Sequence, residues 1–247
     1  MGSLLSTNIS LKAQLEWFDE LKPSLCHSVE ECKEYFSKSL FLVGEIGIND
    51  YTLPLIFGKS IDEVFSYVPK VVQAIKTSIE RLINQGVIDL VVPGNLPMGC
   101  LPIFLTMFYT TNKAAYDPRN GCLNQLNSLA EYHNSLLQNS LKMLQLRYPQ
   151  ARIKYADYYS LVISFVDSPQ QFGFSSGALR ACCGSGGLYN FNSSVFCGSP
   201  EASVCTDPST YMNWDGIHST EAAYHHIAIG ILYGPYSRPP MFTNFRS

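Results

Sequence analysis

Three short apolar runs separated by long stretches of helical periodicity constrain this chain most. "LFLVGEI" (40–46) ends at a glycine-rich turn and reads as a buried strand. "VIDLVVPG" (87–94) and "ARIKYADYY" (151–159) read as two more strands. Between the first two, residues 61–85 place Val72, Ile75, Ile79, Leu82 and Ile83 at helical spacing. Pro69 belongs at the start of that helix or kinks it, and Gly86 ends it. Residues 122–147 form a long amphipathic helix, and another helix follows the third strand to about residue 166. A Gly/Ser/Cys-rich loop then runs over 168–213, and "STEAAYHHIAIGILYG" (219–234) is a closing helix capped by Ser219 or Thr220. Strands alternating with helices imply an α/β fold with a mostly parallel sheet covered by helices. In such sheets the ligand site lies beyond the carboxyl ends of the strands.

Composition excludes several classes. At 247 residues, 46% hydrophobic and 15% charged, the chain is long and apolar enough for a real core. It carries a formal net charge of -3 and no Lys/Arg-rich run, so the electrostatic footprint for nucleic acid is absent. No apolar stretch is long enough to span a bilayer. The eight cysteines crowd partly into Cys182, Cys183, Cys197 and Cys205, with Cys26 and Cys32 as another close pair. That reads as disulfide use, with the connectivity open and a set of buried free thiols as the alternative; no quartet at zinc-ligand spacing competes with it. Sequons at Asn8 and Asn192 fit a secreted glycoprotein. The N-terminus, by contrast, has no signal-peptide pattern. It matches a myristoylation pattern at Gly2 and Ser6, which the cysteine usage argues against.

Two motifs carry chemistry. In "NWDGIHST" (213–220), Asp215 and His218 are a candidate acid–histidine pair; the plainer reading has Asp215 capping the turn and His218 on the surface. A histidine base takes a proton from a hydroxyl nucleophile, and a carboxylate on its other nitrogen fixes the tautomer. In "GEIGINDYT" (44–52), Gly47-Ile48-Asn49-Asp50 reads as a tight turn, and the Asn49 amide is a candidate oxyanion donor. "GFSSG" (173–177) matches the G-x-S-x-G nucleophile elbow and makes Ser175 a weak nucleophile candidate. Its flanks, a proline-containing loop before and the Cys182-Cys183 segment after, do not read as strand and helix. His27, His133, His225 and His226 have no evident chemistry at this level.

"SLFLVGEIGINDY" (39–51), "VPGNLPMGCLP" (92–102), "CLNQLNSLAEYHNSLL" (122–137), "ACCGSGGLYNFN" (181–192) and "NWDGIHSTEAAY" (213–224) together resemble the plant GDSL esterase/lipase family of the SGNH hydrolase superfamily. The resemblance runs over nearly the whole chain. It implies a three-layer α/β/α, flavodoxin-like fold in one domain over 1–247. It also implies a secreted, glycosylated monomer that hydrolyses small-molecule esters without metal or cofactor. Asn49 matches the family's oxyanion asparagine, and Asp215 and His218 its acid–base pair. The family's Gly-Asp-Ser nucleophile motif is not present in these 247 residues. The expectation is therefore an N-terminally truncated member, without its first strand or strands and inactive or severely impaired. The alternative is a non-catalytic ligand-binding remnant or an unstable truncated product. A second expectation is strain at Ile48, where the family usually has glycine. A β-branched residue in a positive-φ turn would displace the Asn49 amide.

Overall fold

The computed structural model describes residues 9–242. The chain forms two compact units, one comprising residues through Asn95 together with Tyr132–Ala156, the other Leu96–Glu131 and residues from Asp157 onward.

The first unit is built on a parallel ladder. Strand β1 (Leu40–Leu42), β2 (Asp89–Pro93) and β3 (Arg152–Ala156) run parallel, with β2 between the other two. The register pairs Phe41 with Leu90 and Leu90 with Ile153. Leu90, Val91 and Val92 are buried, as a central parallel strand requires. Helices α1 (Leu11–Leu21), α2 (Val29–Ser37), α3 (Ile48–Ile56), α4 (Ile61–Phe65) and α5 (Val68–Asn84) belong to this unit. In α5, Val68, Val71, Val72, Ile75, Ile79, Leu82 and Ile83 form the buried stripe, and Pro69 lies in its first turn. Helix α7 (Asn124–Arg147) is continuous through residue 132, where the chain enters this unit; Leu137, Leu141 and Leu144 are buried on it.

The run over 40–46 departs from its reading as a buried strand. Only 40–42 is strand, and Leu40 and Leu42 are 57% and 63% exposed. β1 has a described neighbour on one side only, so hydrophobicity alone does not bury it. The ladder persists one step further through the Val43 N–H to Val91 carbonyl bond, 2.9 Å.

The second unit holds α6 (Pro102–Met107), the first part of α7, α8 (Tyr158–Asp167) and α9 (Glu221–Leu232). Thr220 caps α9, accepting the Ala223 N–H at 3.2 Å. The 168–213 stretch is not a plain loop. It contains β4 (Gly177–Ala181) parallel to β7 (Tyr211–Asn213), and β5 (Cys183–Gly184) antiparallel to β6 (Ser203–Val204). These ladders are too short to leave a period in the sequence. All eight cysteines are paired: Cys26–Cys32, Cys100–Cys122, Cys182–Cys205 and Cys183–Cys197. No described helix is long and apolar enough to cross a membrane. This is a mixed α/β fold with a mainly parallel sheet and packed helices.

Candidate active site

The acid–histidine pair sits on a closed loop of the second unit. Trp214 donates its N–H to the His218 carbonyl at 2.8 Å, and an antiparallel bridge joins Asn213 to Ser219. The Thr220 hydroxyl donates to the Tyr211 carbonyl at 2.7 Å, closing the neck. Inside the loop, Asp215 Oδ1 accepts the Ile217 and His218 N–H groups at 2.9 and 2.8 Å. Its Oδ2 lies 2.7 Å from His218 Nδ1. Gly216 has φ 92° and faces the Phe191 ring so closely that a side chain there would collide with it.

Electrostatics follow from this geometry. Burial alone would raise the Asp215 carboxyl. The His218 side-chain bond and the two N–H bonds outweigh it and hold the group below the usual carboxylate range. The hydrogen bond to Asp215 raises His218, against a smaller opposing effect of desolvation. His218 Nε2 has no hydrogen-bond partner among the described residues, and the side chain is 65% exposed. The arrangement is that of a base whose one nitrogen is oriented and whose other is available.

Asn49 lies in the first unit, second residue of α3, with its side chain exposed. The "GIND" stretch is a helix start rather than a tight turn. Gly47 is the N-cap at φ 121°, and Ile48 already has helical geometry. The positive φ falls one residue earlier than expected, on glycine. The expected strain at Ile48 and displacement of Asn49 are therefore overturned: Asn190 is the one non-glycine residue at positive φ among those described.

Against the Gly47 N-cap of α3 is a polar cluster that sequence reasoning missed. The Tyr51 hydroxyl and His133 Nδ1 are 2.7 Å apart, and both residues are fully buried. Desolvation pushes His133 down to about 4, so the imidazole is neutral at ordinary pH. Asn134 holds the chain at the end of β2: its Oδ1 accepts the Asn95 N–H at 2.7 Å and its Nδ2 donates to the Asn95 carbonyl at 2.8 Å. The buried Asn95 amide packs against Gly47, where an added Cβ would lie 3.0 Å from Asn95 Nδ2 and from His133 Cε1. Glu45 accepts the Ile48 N–H; burial, with a smaller push from the Asp50 charge, raises its carboxyl to about 7. The available signal was His133-Asn134 interrupting the apolar stripe Leu126, Leu129, Ala130, Leu137, Leu141 of α7.

A groove of about 1360 Å³ opens beside this helix start, lined by Glu45, Gly47, Asn49 and Asp50 with residues of α1 and α5. Ser175 is on an exposed turn of the second unit, between a 3-10 turn (Pro169–Phe172) and β4. That context is turn-to-strand and not the strand-to-helix of a nucleophile elbow. Of the sequons, Asn192 is exposed, with its Oδ1 accepting the Ser194 N–H at 2.9 Å; Asn8 lies outside the described residues.

The family model described as GDSL-like Lipase/Acylhydrolase matches residues 7–231. A GDSL esterase/lipase of Arabidopsis thaliana is 49% identical over 236 residues, covering 95% of this chain and 63% of the relative. Two further GDSL esterase/lipases of that plant are 46% identical over 235 and 234 residues, each covering 95% of this chain and 60% of the relative. The chain thus spans 60–63% of the length of these curated relatives. A match over nearly the whole chain, on a mainly parallel α/β core, makes it a member of the plant GDSL-like lipase/acylhydrolase family.

Proposed function

We infer that these 247 residues carry the general base and one oxyanion donor of a serine carboxylic ester hydrolase, but not its nucleophile. The 2.7 Å contact of His218 Nδ1 with Asp215, leaving Nε2 unengaged, carries this reading. In the reaction, Nε2 takes the proton of a serine hydroxyl as its oxygen attacks the ester carbonyl. The imidazolium then returns that proton to the departing alcohol. Asp215 holds the tautomer with hydrogen on Nδ1 and stabilises the imidazolium. The Asn49 amide donates to the oxyanion of the tetrahedral intermediate, a contribution of about 3 kcal/mol. Water releases the acyl group by the same steps.

No Gly-Asp-Ser occurs in the 247 residues, so this chain alone has negligible esterase activity. A triad stripped of its nucleophile keeps only about 10³- to 10⁴-fold over water. The substrate class is a small-molecule carboxylic ester, and the setting is secretory, consistent with the full use of cysteines in disulfides. Treatment with a fluorophosphonate probe, followed by mass spectrometry, tests the missing nucleophile. No labelled serine is the expected result. A label on Ser175 that disappears in His218→Ala overturns the reading.

A further inference from the structure

The acid–base loop is anchored to the vicinal cystines by its backbone. Cys182 donates its N–H to the Asn213 carbonyl at 3.0 Å, and Cys183 donates to the Trp214 carbonyl at 2.6 Å. These bonds extend the β4–β7 ladder past both strands, up to the residue before Asp215. The other faces of the two cysteines are also committed. Cys182 bonds to Cys205 and accepts the Cys205 N–H at 2.9 Å, while Cys183 bonds to Cys197. Both cysteines are buried, at 1% and 2% exposure.

Tight packing surrounds this junction. A Cβ on Gly184 would overlap the Asn190 carbonyl. Asn190, at φ 52°, donates from its side chain to the Ala181 carbonyl at 2.9 Å and accepts the Gly186 N–H at 3.1 Å. That turn delivers Phe191 to the face of Gly216, inside the acid–base loop. Buried Asn213 adds a 2.6 Å bond to the Ala178 carbonyl. The segment 182–191 therefore meets the loop at its backbone and at its Gly216 surface, and Ala178 of β4 adds a contact to Asn213.

We propose that the Cys182–Cys205 and Cys183–Cys197 cystines are positioning residues for the Asp215–His218 pair. They hold the 182–183 peptides against 213–214, so the carboxylate and the imidazole keep their hydrogen bond. Each cystine ties its residue to a point 23 or 14 positions along the chain, which removes freedom that a thiol would leave. This rests on the reading of Asp215–His218 as the catalytic pair, but its test does not use catalysis.

The test is an NMR titration of the His218 ring in the oxidised chain. The wild type should titrate above the ordinary 6.5. Asp215→Asn, which removes the carboxylate, calibrates the full drop. Cys183→Ala/Cys197→Ala should move His218 down toward the Asp215→Asn position while the fold is kept. Cys26→Ala/Cys32→Ala, in the other unit, should leave it in place. A folded Cys183→Ala/Cys197→Ala chain with the wild-type titration overturns the proposal. If that variant does not fold, hydrogen exchange in the wild type decides. The Cys182, Cys183 and Trp214 amides should open together with one protection factor. A Trp214 amide exchanging like a free peptide while the cysteine amides stay protected overturns it. Should the fluorophosphonate experiment fail the catalytic reading, the titration result stands by itself.

Discussion

Replacing Asn134 with alanine is expected to destabilise the chain by about 3 kcal/mol, because two buried backbone groups lose their partners at once. The Asn95 N–H and carbonyl both bond to the Asn134 side chain, and both residues are buried. The site has no slack: a Cβ on neighbouring Gly94 would overlap the Tyr155 hydroxyl and Asn134 Oδ1. Urea unfolding should show a lower midpoint with the slope unchanged, while Ser135→Ala, exposed on the same helix, should leave the midpoint in place. A loss under 1 kcal/mol would mean that the β2 exit is held by something other than Asn134.

The second large effect is a pair of opposed pH dependences around the start of α3. His133 is pushed down to about 4 from 6.5, so its folded form resists protonation. Its contribution is therefore intact above the unfolded value and is lost as pH falls from 6.5 through 4, a total of about 3 kcal/mol. Glu45 is raised from 4.5 to about 7, so its folded form prefers the proton. Stability from Glu45 is gained as pH falls from 7 to 4.5. In the wild type the two slopes oppose over most of the same window. His133→Gln, which retains an acceptor for the Tyr51 hydroxyl, should gain on wild type as the solution is acidified. Glu45→Gln should fall behind it. Thermal or urea unfolding at pH 7.5, 6, 5 and 4 measures both. Parallel wild-type and His133→Gln curves would show that the imidazole titrates normally in the folded state.

Helix α5 was legible because a long stripe of valine and isoleucine at helical spacing ends at a glycine. The Asp215–His218 pair was legible because its partners are three residues apart and the loop that holds them is local. The Tyr51–His133 contact was not, since its partners lie 82 residues apart and the polar stripe residue looks like an imperfection until α3 is placed on it. β1 misled for a related reason. Its burial depends on what flanks it, which leucine and phenylalanine do not encode. At Ile48 the error was a single residue: glycine takes the left-handed position, and isoleucine takes the helical one it tolerates. The cystine-linked ladders over 177–213 left only cysteine spacing as a trace, and spacing does not select a pairing.

The central proposal is that His218, oriented by Asp215, acts as the base and Asn49 as an oxyanion donor once a serine nucleophile is present. The direct measurement joins a family Gly-Asp-Ser segment upstream of residue 9 and follows aryl ester hydrolysis by the folded chimera. The expected result is turnover above the 247-residue chain, reduced by 10³-fold or more in His218→Ala and by about 10²-fold in Asn49→Ala. A folded chimera whose hydrolysis is the same with and without His218 would contradict the account.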